Sequence, residues 1–361
     1  MTRTVCKIGN PTLTARLFAL SYCLIFFNVW GLPNEIWPYY FLIVAIDIRF
    51  KIFELILYAF LFLASICAAI LYSDLLILRE FIYVIIVIRT CFWINSRSFH
   101  DISIIIKYFQ YFIFISIIWG VIQLILPQAT AFTYMFFSGR PEQSTQLMFE
   151  IRNAATLIGP EPAYTAMHLL SMLLFINSNK DYYYFSIFCA FVIVILTKSI
   201  VAAFFAVIFI TYVSFLSQRK FALLLLVIVC GCLSFYFYDA ISQQLPRLVN
   251  FISAFLSGYD LLQSEQTTGS IRLQQIMLTQ FKLVIFEFTK PFTIFGAISL
   301  IFTSPIIALF ILFVFIIKFR KQFSWLSLLF PFLFGPVLLW PLLYSIISTA
   351  PPFLKKVKLE D

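Results

Sequence analysis

The sequence predicts an all-α protein, a polytopic transmembrane helix bundle of about ten to twelve spans. Three observations predict it. Hydrophobic residues make up 62% of the 361 residues and charged residues 11%, with a mean hydropathy of +0.99, whereas an ordinary soluble domain carries about 25% charged residues. Apolar runs approaching the roughly 20 residues of a spanning helix recur along nearly the whole chain. The basic residues fall between those runs in alternate short connections, as the positive-inside rule requires. The chain over 1–361 therefore reads as one integral membrane domain, not as soluble domains with a tail anchor.

Taken in order, Arg3, Lys7 and Arg16 precede an uninterrupted first span that lacks a small-residue cleavage site, which reads as a retained signal anchor. The expected spans are 17–32, 36–48, 52–72, 75–94, 102–126, 163–177, 182–196, 199–216, 221–237, 292–317 and 325–348. The second, sixth and seventh are short, which leaves the total open by one or two. Arg49 and Lys51, Arg97, Lys180, Arg219 and Lys220, and Lys318, Arg320 and Lys321 mark the cytoplasmic connections, so the amino end is expected in the cytoplasm. An odd total would put Lys355, Lys356 and Lys358 outside, unless Pro331, Gly335 and Pro336 fold the last segment into a hairpin. The carboxyl end is expected in the cytoplasm.

Cytoplasmic connections are a few residues long, whereas two outer ones, 127–162 and 238–291, are extended extracytoplasmic loops where binding or chemistry is expected. The first holds Arg140, Glu142, Glu150, Arg152 and Glu161. In the second, Leu245 to Leu256 and Arg272 to Phe288 are amphipathic, with Arg272, Gln275, Thr279 and Lys282 along one polar stripe. Such helices lie in the membrane interface with their apolar faces in lipid; a merely solvated surface helix explains the same periodicity.

Several function classes are disfavoured. The formal charge of +9 is scattered between apolar runs rather than gathered on one basic face, so nucleic acid is not expected as a partner. The seven cysteines lie mostly within apolar runs, where a free thiol behaves as a small hydrophobe, and Cys230-Gly231-Cys232 has neither the spacing nor a nearby histidine for a metal. No GxxxxGK[ST] loop is present, which argues against ATP-driven transport. With only His100 and His168, histidine-rich zinc or haem sites are excluded, and no outer Asp-x-Asp supports metal-assisted sugar transfer. No cofactor is expected. Glu54, Arg79, Glu80, Arg89 and Lys107 fall mostly near span ends, a poor pattern for a midplane proton relay.

Three short stretches carry chemistry. Arg152 to Tyr164 reads Arg-Asn-Ala-Ala-Thr-Leu-Ile-Gly-Pro-Glu-Pro-Ala-Tyr, with Pro162 suited to the first turn of the following helix. Glu161 then stands beside the positive end of a helix dipole, where an anionic headgroup would also be drawn. Simple helix capping, with Arg152 paired to a nearby acid, is the plainer account. His168 falls on the same helical face about two turns deeper. Leu196-Thr197-Lys198-Ser199 forms a tight outer turn with one interfacial cation, which by itself snorkels toward water and lipid phosphate. Thr267-Thr268-Gly269-Ser270-Ile271-Arg272 leads an arginine into the amphipathic helix, and the guanidinium fork suits a diphosphate.

This order resembles the bacterial O-antigen and capsule polymerases of the Wzy type and the wider O-antigen polymerase and ligase superfamily. The resemblance rests on an arginine followed by Gly-x-Glu-Pro-Ala/Ser-Tyr entering a span (Arg152, Gly159, Glu161, Pro162, Tyr164), a Thr/Ser-Lys-Ser turn (Thr197, Lys198, Ser199) and a Gly-Ser-x-Arg stretch in a large outer loop (Gly269, Ser270, Arg272). It implies metal-independent glycosyl transfer at the outer face of the inner membrane between undecaprenyl-diphosphate-linked glycans, with a partner that sets chain length. The catalytic residues it implies are Glu161 as first candidate base, His168 as second, and Arg272 neutralising the leaving diphosphate. Arg152, Lys198, Tyr164, Ser270 and Lys282 would hold substrate. Ligase relatives typically carry a histidine in the second outer loop, and 238–291 has none, which favours polymerase over O-antigen ligase. The alternatives of other classes are a lipid-linked oligosaccharide flippase or secondary transporter, which calls for midplane charges and often inverted halves, and a structural membrane subunit.

Overall fold

The computed structural model describes residues 11–29, 32–33, 39–46, 52–72, 85–86, 89–90, 93–94, 96–130, 136, 154–159, 162–177 and 182–216. These are almost entirely helical. The elements are α1 (Pro11–Cys23), a two-residue antiparallel pair β1 (Asn28–Val29) and β2 (Leu32–Pro33), α2 (Tyr39–Ile46), α3 (Ile52–Tyr72), α4 (Phe99–Ile125), the single turn α5 (Pro127–Thr130), α6 (Pro162–Ile176), α7 (Tyr183–Thr197) and α8 (Ile200–Leu216). Among the described residues, Phe99–Ile125 is the one helix both long and apolar enough to cross a membrane.

The helix limits follow local chemistry. α1 and α6 each begin on a proline, whose missing N–H costs nothing in the first turn. Ser98 caps α4: its Oγ accepts from the Asp101 N–H at 3.2 Å and donates to Asp101 Oδ2 at 2.8 Å, and the acid faces the positive helix end. This cap starts the helix three residues ahead of the expected 102. α3 spans the expected 52–72, and α6, α7 and α8 lie within one residue of their expected limits at either end.

The first span is the exception. Expected at 17–32, the helix runs instead from Pro11 to Cys23, and its 13 residues rise only about 20 Å. After it the chain tightens, with Ile25 N–H to the Tyr22 carbonyl and Phe27 N–H to the Leu24 carbonyl, and then places Asn28 opposite Pro33 and Val29 opposite Leu32. Hydropathy stays high through this stretch and so hides the turn. Pro33 cannot continue a helix because it lacks the N–H and crowds the preceding carbonyl. The expected spans 221–237, 292–317 and 325–348 and the loop 238–291 lie outside the described residues.

α4 is the central element. It packs against α1, α6 and α7; α1 also meets α2, and α6, α7 and α8 pack on one another. The buried face of α4 runs Ile102, Ile105, Phe109, Ile113, Ser116, Gly120 and Gln123 at helical spacing. Its outward face carries Tyr111, Phe114, Ile115, Ile118 and Ile125. Aromatic rings join the elements: Phe18 lies 4.7 Å from Trp93, Tyr22 5.4 Å from Tyr40 and 5.7 Å from Phe109, and Phe109 5.6 Å from Phe175. Each such pair adds about 0.5–1.5 kcal/mol beyond the area it buries. Arg89 Nη1 meets Glu54 Oε2 of α3 at 3.1 Å, with both side chains buried.

Candidate functional site at one end of the bundle

Non-helical backbone runs buried through Ala154–Gly159, immediately before α6. Ala154, Ala155, Thr156 and Leu157 are each at most 1% exposed. A buried strip outside regular structure must find partners for its peptide groups. Two distant elements supply them. The Ala155 N–H donates to the Leu196 carbonyl at 2.8 Å, joining the strip to the end of α7. Gln123, near the end of α4, accepts from the Leu157 N–H through Oε1 at 2.9 Å and donates through Nε2 to the Leu157 carbonyl at 3.1 Å and to Thr156 Oγ1 at 3.1 Å.

Glycines permit the approach. A Cβ on Gly120 would run into Leu157 Cδ2 and lie 3.2 Å from Leu196 Cδ1, so this turn of α4 is bare where the strip crosses it. A Cβ on Gly159 would collide with Thr165 Oγ1 and lie 2.9 Å from Thr165 Cβ, which sets the first turn of α6 directly against the end of the strip.

Leu196 leads into the Thr197-Lys198-Ser199 turn. Lys198 ends α7 in the left-handed conformation, φ 46°, with its N–H on the Val194 carbonyl at 2.9 Å. Thr197 Oγ1 donates to the Ile193 carbonyl at 2.7 Å, and Ser199 Oγ accepts from the Ala202 N–H at 3.3 Å, capping α8. Among the described residues, Leu157 (φ 58°) and Lys198 are the non-glycine residues with positive φ. Such backbone costs about 1–2 kcal/mol per residue. Both positions belong to the same cluster, joined through the Ala155–Leu196 bond.

Two of the three stretches singled out in the sequence are thereby brought together: the strip between Arg152 and Glu161, and the Thr-Lys-Ser turn. Lys198 is partly exposed. Tyr164 is the third residue of α6. His168 stands apart from the strip, about 9 Å along α6 from Pro162. It is wholly buried, with its ring 4.9 Å from Tyr22 of α1 and 5.2 Å from Phe26 in the turn that follows. Neither ring nitrogen makes a well-formed hydrogen bond, although the Tyr22 main chain is close. Arg152, Glu161, Ser270, Arg272 and Lys282 lie outside the described residues.

Sequence reasoning missed Gln123, Thr156 and Gly120. The available signal was a lone amide in an otherwise apolar run, since an amide inside a bundle needs partners. Among the described residues no group of three or more His, Cys, Asp or Glu gathers as a metal site. Comparison with protein-family models, curated proteins and solved structures finds no match to this chain.

Proposed function

We propose that this chain is a multi-pass polysaccharide polymerase of the bacterial inner membrane, with its amino end in the cytoplasm. It transfers a growing undecaprenyl-diphosphate-linked glycan onto an undecaprenyl-diphosphate-linked repeat unit at the outer face. The membrane part is supported by α4, whose outward face is apolar at Tyr111, Phe114, Ile115 and Ile118 although its buried face is apolar too. A helix on the surface of a soluble bundle carries charged and polar residues on its outward face, and lipid tolerates irregular backbone only where protein covers it, as at Ala154–Gly159.

The observation that carries the functional reading is the meeting of two motifs, distant in sequence, at one end of the bundle through strained backbone. Strain of this kind clusters at binding and catalytic sites, where surrounding contacts hold it. In the proposed reaction an acceptor hydroxyl oxygen forms a bond to the donor's anomeric carbon. The bond from that carbon to the diphosphate breaks, and the lipid diphosphate leaves with the electron pair. Arg272, Arg152 and Lys198 neutralise the charge that develops on the leaving group. Glu161 removes the hydroxyl proton, with His168 as second candidate. Tyr164, Ser270 and Lys282 contact substrate. No metal takes part, and a partner that sets chain length is expected.

Replacing Glu161 or Arg272 by alanine in the producing cell tests this. Loss of a preorganised base or cation costs about a hundredfold in rate. Long polysaccharide should therefore disappear while lipid-linked single repeats and protein level persist. Unchanged polymer length in both variants would overturn the assignment. The buried Glu54–Arg89 pair favours a second reading, a lipid-linked oligosaccharide flippase, because charges inside a bundle are retained where cargo or ions pass. Single repeats trapped on the cytoplasmic leaflet of a deletion strain would select it.

A further inference from the structure

The geometry points to Gln123 as a positioning residue: its side-chain amide fixes the buried strip Ala154–Gly159, which lies within the sequence segment running from Arg152 to Glu161. The inference deepens the polymerase reading and rests on it for the catalytic consequence. Arg152 lies two residues before the strip and Glu161 two residues after it.

One amide grips both peptide polar groups of Leu157, accepting from the N–H and donating to the carbonyl. A second donation from Nε2 reaches Thr156. This is what β pairing would supply to an extended strand, delivered by a side chain, and at Leu157 it is applied to left-handed backbone that a leucine does not adopt unaided. Gln123 itself is wholly buried, as are Thr156 and Leu157. Gly120, one helical turn earlier on the same face of α4, leaves room for Leu157 beside it. The amide and the bare turn together form a seat for one residue of the strip. The other anchor, Ala155 on Leu196, ties the strip to the Lys198 turn. With both anchors in place the strip and the turn that carries Lys198 share a fixed frame. With Gln123 removed, the strip keeps its tie to α7 and loses its tie to α4.

The test uses the full-length chain in membranes, with Ala154→Cys as a local reporter because Ala154 is small and 1% exposed. Gln123→Met keeps side-chain length and deletes the donor and the acceptor; Gln123→Glu keeps the acceptor for the Leu157 N–H. Two quantities are read: the rate of labelling by a membrane-impermeant maleimide, corrected for the same chain without the reporter cysteine, and polymerisation of lipid-linked repeats by the chain without it. Gln123→Met should raise labelling about tenfold or more. Because a displacement of about 1 Å at reacting groups costs about a hundredfold, it should lower kcat to that extent and leave apparent KM within about twofold. Gln123→Glu should recover part of both.

Unchanged labelling in Gln123→Met overturns the anchoring. Faster labelling with unchanged kcat overturns the positioning role. Equal losses in Met and Glu variants accompanied by lowered protein level would show a structural residue only, and would also overturn it. If the unsubstituted chain polymerises nothing, the polymerase reading fails, and the labelling ratio still decides whether Gln123 holds the strip.

Discussion

Truncating Glu54 should damage this protein more than removing the whole ion pair to which it belongs. Arg89 Nη1 lies 3.1 Å from Glu54 Oε2, and the two side chains are 5% and 7% exposed. A guanidinium this deep has been stripped of water, and Glu54 is its countercharge. Glu54→Ala leaves the cation buried without that carboxylate, a change that costs about 3–5 kcal/mol. At about 1.4 kcal/mol per tenfold, this shifts the folding equilibrium by two to four orders of magnitude. At about 2 °C per kcal/mol for a chain of this size, the melting temperature in mild detergent falls by roughly 6–10 °C. Glu54→Leu combined with Arg89→Met removes both charges and keeps most of the volume. It should melt within a few degrees of the parent or above it, because the apolar pair escapes desolvation. The measurement is loss of the monodisperse peak on size-exclusion chromatography after heating. If Glu54→Ala melts with the parent, or if the double variant melts no higher than Glu54→Ala, the reasoning from desolvation is wrong.

Two other outcomes follow from the site. Gly159→Ala should destabilise more than Gly120→Ala, by about 1–3 kcal/mol, since the new methyl on Gly159 meets Thr165 close to its main chain whereas that on Gly120 meets the movable ends of Leu157 and Leu196; melting of the two purified variants decides it. Lys198→Gly should raise stability by about 1 kcal/mol by relieving the left-handed backbone, yet lower polysaccharide yield by removing a cation; a variant both stabler and fully active would take Lys198 out of the site.

Helix positions were largely legible because a long apolar run kept from water must satisfy its own peptide groups, and a helix does so within one segment. That is why Ile52–Tyr72 falls where hydropathy puts it. The same rule failed after Cys23, where apolar composition continues although the helix ends: hydropathy measures environment, and the path there follows local hydrogen bonds and the pairing of Asn28–Val29 with Leu32–Pro33. At the candidate site, the Thr-Lys-Ser turn and the strip before Pro162 could be read as separate stretches, because proline, glycine and polar residues interrupt apolar runs. Their meeting could not. The bonds that join them link Ala155 to Leu196 and Gln123 to Thr156 and Leu157, partners more than thirty residues apart whose pairing has no local pattern. Glu54 and Arg89 were likewise visible as charges near span ends, but their partnership depends on how two helices pack.

The strip also bears on why a bundle would keep irregular backbone at depth. Regular helix cannot continue backward from α6 into residues 154–159, because Pro160 and Pro162 lack the N–H groups and would crowd the carbonyls four residues earlier. The observed path costs about 1–2 kcal/mol at Leu157, its left-handed residue. Four non-local hydrogen bonds, each worth about 0.5–1.5 kcal/mol net, offset that cost. The same bonds fix geometry: a segment flanked in sequence by an arginine and a glutamate is held against a turn that carries a lysine. Under the polymerase reading proposed above, a site that keeps an acid and several cations around a lipid-borne diphosphate needs that fixed frame more than it needs stability. Losing one of the four bonds should accordingly cost the protein more in turnover than in folding.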